Sequence, residues 1–106
     1  GVSWNYLSSV IEAPGLSNPP SLLKLDDGRL CVTYGSRTAP YGISARLSDD
    51  GGKTWGETRV LREDGGHWDL GYTRSTQLPN GEIVTVYYYC ADKLKERTIE
   101  ATVWRP

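Results

Sequence analysis

The sequence feature that most constrains the fold is an internal repeat of about 53 residues. The turn glycines Gly28 and Gly81 lie 53 positions apart, and so do Leu30 and Ile83. Each glycine separates two short apolar segments, in the contexts Asp-Asp-Gly and Pro-Asn-Gly, which are typical of hairpin turns because glycine readily adopts positive φ. A repeat of this length with four strands per unit is typical of β-propeller blades. The repeat therefore predicts an all-β chain.

Short apolar and β-branched segments recur along the chain, as expected for strands. They lie at 3–10, 21–25, 30–34, 43–47, 58–62, 75–78, 83–89 and 98–104. They predict one partial propeller domain over residues 1–106. Within it, residues 1–12 supply an outer strand of a neighbouring or closing blade, 18–62 form a complete blade, and 69–106 form a three-stranded last blade. No segment has a helical apolar stripe, and the charged stretch 91–97 is expected to be a hairpin loop.

Composition and charge exclude several classes of partner. The chain has 106 residues with 12 basic and 13 acidic side chains and no basic stripe, which argues against nucleic acid. No apolar run approaches the ~20 residues that span a bilayer, and the first residues show no signal-peptide pattern. Cys31 and Cys90 lack metal-ligand spacing, so we expect ordinary thiols, neither metal nor cofactor, with a disulfide left open.

Residues 48–55 fit the pattern S-x-D-x-G-x-T-W at every fixed position, namely Ser48, Asp50, Gly52, Thr54 and Trp55. This pattern resembles the Asp-box of the bacterial neuraminidase (BNR) repeat. We expect a structural role, in which the aspartate accepts hydrogen bonds from turn amides, the glycines permit a tight turn and the tryptophan fills the blade. A ligand contact is the lesser alternative.

A second segment, Tyr-Thr-Arg-Ser-Thr-Gln-Leu-Pro-Asn-Gly at 72–81, is similar to the sialidase segment that begins with the nucleophilic tyrosine. Residues 44–48 resemble the strand that carries one arginine of the sialidase triad. The resemblance implies the last two blades of a six-bladed sialidase-like propeller, with Tyr72 as nucleophile and Arg46 as a clamp on the substrate carboxylate. A phenol avoids the repulsion between that carboxylate and an anionic nucleophile, and a guanidinium pairs with it in a fork. The alternatives are propeller packing for Tyr72 and a surface ion pair for Arg46.

Three neighbours of Tyr72 are further candidates for substrate binding. Arg74 stands where the family usually has a small or polar residue and is a candidate to hold an acidic sugar. Asp69 lies in the same turn; the alternative is that it caps the turn and pairs with Arg74. Trp68 is a candidate to stack on a sugar ring, against the alternative of local packing.

The sequence also departs from the sialidase pattern. Tyr88 stands where the family usually has an acidic residue, and the chain lacks the glutamate partner, the acid/base aspartate and two further arginines. Glu63 and Asp64 match none of these and are expected in a solvated loop. The connections at 13–18, 35–41, 63–72 and 90–96 are predicted to lie opposite the Asp-box, on the face where propeller ligands bind.

Together these observations predict a fragment of a sialidase-like exo-glycoside hydrolase that acts on acidic sugars and is inactive alone. The alternative is a non-catalytic carbohydrate-binding or scaffold propeller segment. Because a two-blade piece leaves blade faces and edges uncovered, we also expect association, and three copies would complete a six-bladed ring. The resemblance implies a secreted or periplasmic parent protein.

Overall fold

The computed structural model describes residues 1–12, 18–92 and 96–106, and in them the all-β prediction is confirmed. Seven strands form two antiparallel sheets, and no helix occurs within these ranges. The first sheet has the order β1-β2-β3-β4 and the second has β5-β6-β7. The strands are β1 (Ser21–Lys24), β2 (Leu30–Ser36), β3 (Tyr41–Ser48), β4 (Arg59–Gly65), β5 (Gly71–Gln77), β6 (Ile83–Tyr89) and β7 (Thr98–Trp104).

The two predicted hairpin turns have the same backbone geometry. Gly28 has φ 90° and Gly81 has φ 87°, conformations that an L side chain rarely adopts. The Gly28 amide donates to the Leu25 carbonyl at 2.9 Å, and the Gly81 amide donates to the Leu78 carbonyl at 2.9 Å. The glycine spacing seen in the sequence therefore corresponds to a repeated turn.

The repeat extends to the strand registers. In the first sheet Cys31 pairs with Leu47 and Thr33 with Ala45. In the second sheet the equivalent pairs are Val84 with Val103 and Val86 with Ala101. Residues of β1 and β2 correspond to residues 53 positions later in β5 and β6, and residues of β3 correspond to residues 56 positions later in β7. The first three strands of each sheet are thus repeats in sequence and in pairing.

The two sheets pack face to face around two apolar clusters. One contains the buried Ile43, Leu70, Tyr87 and Tyr89, and the other contains the buried Leu25, Cys31 and Ile83. Each cluster draws side chains from both sheets, so burial of apolar surface holds the sheets together, at roughly 25 cal/mol per Å² removed from water.

Buried hydroxyl groups also connect the sheets. The Thr33 and Ser75 hydroxyls lie 2.8 Å apart across the interface, and Ser75 lies 3.0 Å from the Thr85 hydroxyl. The Trp104 indole N–H donates to Thr85 at 3.0 Å, and the Thr73 hydroxyl donates to the Thr33 carbonyl at 2.7 Å. Because each polar group finds a partner, their burial avoids the cost of unsatisfied hydrogen bonds.

The prediction of a strand at 3–10 was wrong for this structure, in which the segment has no ladder partner. A strand forms only where a neighbouring edge completes its hydrogen bonds, and this segment instead lies against the Asp-box. The Ser8 hydroxyl donates to the Gly52 carbonyl, the Trp55 indole donates to Ser8, and the Arg46 guanidinium donates to the Val10 carbonyl.

The assignment of Glu63 and Asp64 to a loop was wrong, because they belong to β4, although both are exposed to solvent as predicted. Asp64 accepts hydrogen bonds from the Arg62 guanidinium and the Tyr89 hydroxyl. Arg62 also bonds Glu100 and lies 3.9 Å from the centroid of the Tyr89 ring. This charged network connects the end of β4 to the second sheet.

The remaining predicted boundaries shift modestly. The ends of β6 and β7 are confirmed, whereas β5 begins at Gly71, four residues before the predicted start at 75. The rim connections predicted at 13–18 and 90–96 fall partly outside the described residues.

Both cysteines are free and buried, so the disulfide left open does not form. No described segment forms a helix long and apolar enough to cross a membrane.

Candidate functional site

The candidate site lies at one rim, where the β2–β3 and β4–β5 connections meet. Asn18 joins them: its side-chain amide donates to the Gly35 carbonyl at 2.8 Å, and its oxygen accepts from the Gly35 amide at 3.2 Å and the Tyr72 amide at 3.4 Å. The same oxygen would lie 2.5 Å from a β-carbon on Gly71. Position 71 therefore requires glycine, and the Asn18 side chain connects the end of β2 to the start of β5.

Tyr72 has an unusual backbone at the start of β5. Its φ is 51°, the only positive value among the described non-glycine residues, and it follows Gly71 with φ 116°. The pairing of β5 with β6 is interrupted between Gly71 and Arg74, so Tyr72 lies in an irregularity of the sheet edge. A tyrosine in the left-handed region is strained, and such positions are concentrated at functional sites. The side chain is 53% exposed.

Arg37, in the turn after β2, reaches across the rim to the second sheet. Its Nε donates to the Leu70 carbonyl at 3.1 Å and its Nη2 donates to the Tyr88 hydroxyl at 2.9 Å. Its Cζ lies 5.5 Å from the centroid of the Tyr72 ring and 5.6 Å from that of Trp68. These contacts fix a guanidinium beside two exposed aromatic rings, within the range of cation–π attraction.

Tyr88 connects Arg37 to an acidic side chain. Its hydroxyl donates to Asp69 Oδ1 at 2.6 Å, and the other Asp69 oxygen accepts from Arg97 Nε at 3.0 Å. The Tyr88 ring lies 5.6 Å from the Tyr72 ring. We call Arg37, Asp69, Tyr72, Tyr88 and Arg97 the rim cluster.

The hydrogen bonds of the rim cluster shift two pKa values. The bond from the Tyr88 hydroxyl, followed by the positive charge of Arg97, lowers the pKa of Asp69, which is therefore ionised at neutral pH. Burial, followed by the bond to Asp69, raises the pKa of Tyr88 to about 12. Tyr88 is therefore a neutral donor, and Asp69 is unsuited to act as an acid at neutral pH.

The structure brings together only some of the residues predicted from sequence. Tyr72, Asp69 and Trp68 all lie at the rim. The Trp68 ring lies 5.3 Å from the His67 ring and is 39% exposed. It therefore packs locally, as one interpretation expected, and still exposes ring surface on which a sugar could stack, as the other requires.

The two predicted arginines lie apart from this group. Arg46 donates to the Thr58 hydroxyl at 3.0 Å and to the Val10 carbonyl at 2.9 Å, beside the N-terminal segment. Arg74 is exposed and donates to the carbonyl of its neighbour Thr73 at 2.8 Å. The alternative considered for Asp69, a pair with Arg74, does not form, because Asp69 pairs with Arg97.

Sequence reasoning missed Arg37, Arg97 and the part played by Tyr88. The segment 35–41 was assigned to the correct rim, and Arg37 is its basic residue directly after an apolar strand. That position is the signal that could have identified it. The contacts of Tyr88 depend on residues 19 and 51 positions away and have no local signature.

The Asp-box follows β3, and its aspartate forms the predicted turn hydrogen bonds, whereas Trp55 is only half-buried and donates to the Ser8 hydroxyl. Asp50 accepts from the Thr54 amide at 2.9 Å and from the Thr54 and Ser48 hydroxyls. Gly51 and Gly52 have φ 73° and 88°. These hydrogen bonds, the Thr54 hydroxyl first, lower the pKa of Asp50 to about 2. Within the described residues, all these contacts of Asp50 are internal to the turn.

The rim cluster can recognise a ligand by charge, hydrogen bonding and aromatic stacking. Within 1–12, 18–92 and 96–106, no group of His, Cys, Asp and Glu side chains is arranged to hold a metal ion. In the same ranges no carboxylate forms a hydrogen bond with the Tyr72 hydroxyl, whereas a tyrosine nucleophile needs an adjacent base. Among the described residues, the Tyr72 hydroxyl therefore has no neighbouring carboxylate as a base.

Comparison with known proteins gives a relative of the fold. A protein of unknown function from Dyadobacter fermentans DSM 18053, known from a crystal structure, is similar to this chain with a TM-score of 0.73 and 32% sequence identity. The match covers 84% of this chain and 25% of that protein, so the chain spans about a quarter of its length. No family model matches the chain. No curated protein matches it either.

Proposed function

We propose that this chain is a segment of a sialidase-like Asp-box β-propeller and that its rim cluster binds the carboxylate of an acidic sugar. The observation that carries the proposal is the placement of Arg37 between the exposed rings of Tyr72 and Trp68. A sugar carboxylate needs a fixed cation, and the apolar face of a sugar ring packs on aromatic side chains.

Arg37 takes the place of Arg46 as the carboxylate clamp in this proposal. Two contacts, to Leu70 and Tyr88, hold its guanidinium in position before a ligand arrives. A preorganised donor loses little conformational entropy on binding, whereas a free surface arginine must be ordered first. Arg46 is also held by two hydrogen bonds, but it lies beside the N-terminal segment, whereas Arg37 lies beside the rings of Tyr72 and Trp68.

Binding without hydrolysis is the function that this chain performs alone. Asp69, the one carboxylate in the rim cluster, already accepts hydrogen bonds from Tyr88 and Arg97. In a longer propeller, a carboxylate from another blade would have to approach Tyr72 before this phenol could attack a glycoside. Hydrolysis of sialosides is therefore proposed only for a parent protein, which would be exported.

The test is titration of the isotope-labelled chain with the methyl α-glycoside of N-acetylneuraminic acid, observed by NMR. We expect amide shifts around residues 35–37 and 68–72 and none in the Asp-box turn. Methyl galactoside, which lacks the carboxylate, should cause at least tenfold weaker saturation. Equal responses to the two sugars, or shifts spread over both sheets, would contradict the proposal.

A pair of variants distinguishes the two arginines. Arg37→Gln removes the cation beside Tyr72 and should weaken sialoside binding at least tenfold, since a charge-assisted hydrogen bond contributes about 1.5–3 kcal/mol. The matched control, Arg46→Gln, removes the same charge next to the N-terminal segment and should leave the affinity unchanged. The reverse result would assign the clamp to Arg46.

A further inference from the structure

The turn between β5 and β6 contains the pair Asn80-Gly81, and Asn80 is exposed to solvent. The Gly81 amide donates to the Leu78 carbonyl and closes the turn. The Asn80 side chain folds back onto the following backbone, because its Oδ1 accepts from the Glu82 amide at 3.1 Å. The side-chain carbonyl carbon of Asn80 is thereby held next to the peptide group whose nitrogen belongs to Gly81.

The two other asparagines of the chain lack such a neighbour. Asn5 is followed by a tyrosine, whose side chain hinders the approach of its own backbone nitrogen, and Asn18 is followed by a proline, whose nitrogen carries no hydrogen. Gly81 has neither obstacle. It lacks a side chain, and beyond its chain neighbours no atom lies within 4 Å of the position that a β-carbon would occupy. Asn80 is therefore the asparagine best placed to react with the next peptide nitrogen.

The first hairpin turn is the repeat equivalent of this turn and carries a different side-chain pair. Asp27 stands 53 positions before Asn80, and Arg29 stands 53 positions before Glu82. In the first turn the Arg29 amide donates to Asp27 Oδ1 at 3.0 Å, and the Arg29 Nε donates to Oδ2 at 2.8 Å. In the second turn the Asn80 Nδ2 donates to Glu82 Oε2 at 2.9 Å. The contact to the backbone is the same in both turns, and each side-chain pair joins a donor to an acceptor.

We propose that Asn80-Gly81 is a deamidation site and that its conversion to an acid weakens the β5–β6 hairpin. The Gly81 nitrogen loses its proton to hydroxide from the solvent and attacks the Asn80 side-chain carbonyl carbon. A C–N bond forms, the bond from that carbon to Nδ2 breaks, and Nδ2 takes a proton from water and leaves as ammonia, which regenerates the hydroxide. Water then opens the succinimide ring at either carbonyl and gives aspartate or isoaspartate. Overall, water is consumed and ammonia is released.

Two contacts of the turn influence the rate of this reaction. The Glu82 amide bonds the oxygen on which negative charge develops during the attack, and a fixed donor stabilises such an oxyanion. The Gly81 amide, in contrast, is held by the Leu78 carbonyl at 2.9 Å, so this bond must open before the nitrogen reacts. Opening of one exposed turn does not require the sheets to separate. Deamidation therefore takes place in the folded chain.

The product changes the charge balance of the turn. An aspartate at position 80 has no Nδ2 to donate, so its carboxylate faces the Glu82 carboxylate across what is now a hydrogen bond. Like charges in this position repel, and Arg105, which lies 3.2 Å from Glu82 and is largely exposed, offsets the repulsion only in part. Isoaspartate also lengthens the backbone by a methylene group and disturbs the closure of the turn. The first turn accommodates Asp27 because Arg29 is its partner.

The first experiment incubates the complete folded chain at mildly alkaline pH in water labelled with a heavy oxygen isotope and maps the products by peptide mass spectrometry. We expect Asn80 to convert at least tenfold faster than Asn5 and Asn18, with uptake of labelled oxygen and a mixture of aspartate and isoaspartate. Gly81→Ala should slow the conversion at least tenfold, because its methyl group hinders the attack. Equal rates at the three asparagines, a product without isoaspartate, or conversion confined to urea-unfolded samples would overturn the proposal.

The second experiment tests the consequence of conversion with Asn80→Asp, which supplies one product in pure form. In the wild-type background this substitution should lower the urea midpoint of the chain. In the background of Glu82→Arg, the same substitution should leave the midpoint unchanged or raise it, because the new carboxylate then meets a guanidinium, as Asp27 meets Arg29. Equal losses in the two backgrounds would refute the charge mismatch. The proposal does not depend on the sugar site, which lies at the opposite end of β5.

Discussion

Gly35 of the first sheet and Gly71 of the second approach so closely that a β-carbon on Gly35 would lie 2.9 Å from the Gly71 α-carbon. No side chain fits at this contact, and Asn18 closes it from the side. The backbones of the two sheets are thus in direct contact at the rim that carries the candidate site. Packing between them therefore determines the position of Arg37 relative to Tyr72.

Gly35→Ala should consequently destabilise the chain and disturb the rim. The added methyl group would lie 2.9 Å from the Gly71 α-carbon and 3.0 Å from the Asn18 side-chain amide, so the backbone of the second sheet must move away, at a cost of about 1–3 kcal/mol. Urea unfolding followed by tryptophan fluorescence measures the change. Gly56→Ala is the control, because a β-carbon there would have only an ordinary contact at 3.5 Å with the Leu47 carbonyl. Equal midpoints for the two variants would contradict the close approach.

The Asp-box turn should make the folded chain sensitive to acid. The pKa of Asp50 is lowered from its ordinary 3.8 to about 2 by the Thr54 and Ser48 hydrogen bonds. Because the folded pKa is below the unfolded one, this stabilisation is present above pH 4 and is lost as the pH falls toward 2. Asp50→Asn should lower the melting temperature at pH 7 and reduce the loss between pH 4 and 2.

Melting curves of wild type and Asp50→Asn at half-unit pH steps measure this effect. The exposed neighbour Asp49 provides the matched control, since Asp49→Asn removes the same charge one residue away from the bonded carboxylate. The acid dependence of Asp49→Asn should follow that of the wild type. A parallel acid dependence of Asp50→Asn and wild type would show that the turn does not depend on the ionised carboxylate.

The sequence was sufficient to predict the regular part of this fold. Turn glycines at a fixed spacing specify hairpins through their backbone conformation, and alternation in β6 specifies which side chains are buried. Both signals are local, which explains why the bounds of β6 and β7 and the position of the Asp-box turn were predicted correctly. The Asp50 carboxylate similarly finds its hydrogen-bond partners, Ser48 and Thr54, within seven residues.

The parts that were not predicted depend on distant partners. Residues 3–10 have strand-like composition, but an edge must be available to pair with them, and composition does not show where that edge lies. The partner considered for Asp69 was Arg74 in its own turn, whereas Asp69 pairs with Arg97, 28 residues away. Arg37 acquires its role from Tyr72 and Tyr88, which only the packing of the second sheet brings to it.

Tyr88→Phe should alter the alkaline titration of the protein. Burial and the bond to Asp69 raise the pKa of Tyr88 to about 12, from an ordinary value of 10. Because the folded pKa is the higher one, the associated stability is present below pH 10 and is lost as the pH rises toward 12. Absorbance at phenolate wavelengths should therefore show a step near pH 12 that Tyr88→Phe removes.

The same variant should cost about 1 kcal/mol of stability at neutral pH, because Asp69 and Arg37 lose a hydrogen-bond partner at a partly exposed site. Replacing the exposed Tyr6 by Phe is the control, and it should leave the step near pH 12 in place. A Tyr88→Phe titration that matches the wild type would mean that the hydroxyl is not held by Asp69.

Tyr72→Gly tests whether the backbone at the rim is strained. Tyr72 has φ 51°, a conformation that costs an ordinary residue about 1 kcal/mol or more and costs glycine almost nothing. The ring is half exposed, so its removal sacrifices little buried surface. We therefore expect the free energy of unfolding to stay level or rise by up to ~1 kcal/mol, while sialoside binding is lost.

Val86→Gly, at a regular position of the adjacent strand, should instead lower stability by about 1 kcal/mol through the entropy of the unfolded chain. Urea unfolding of the three proteins under one set of conditions provides the comparison. A loss in Tyr72→Gly as large as that in Val86→Gly would show that the left-handed backbone carries no strain, and the stability and binding effects of Tyr72 would then have to be explained by its ring alone.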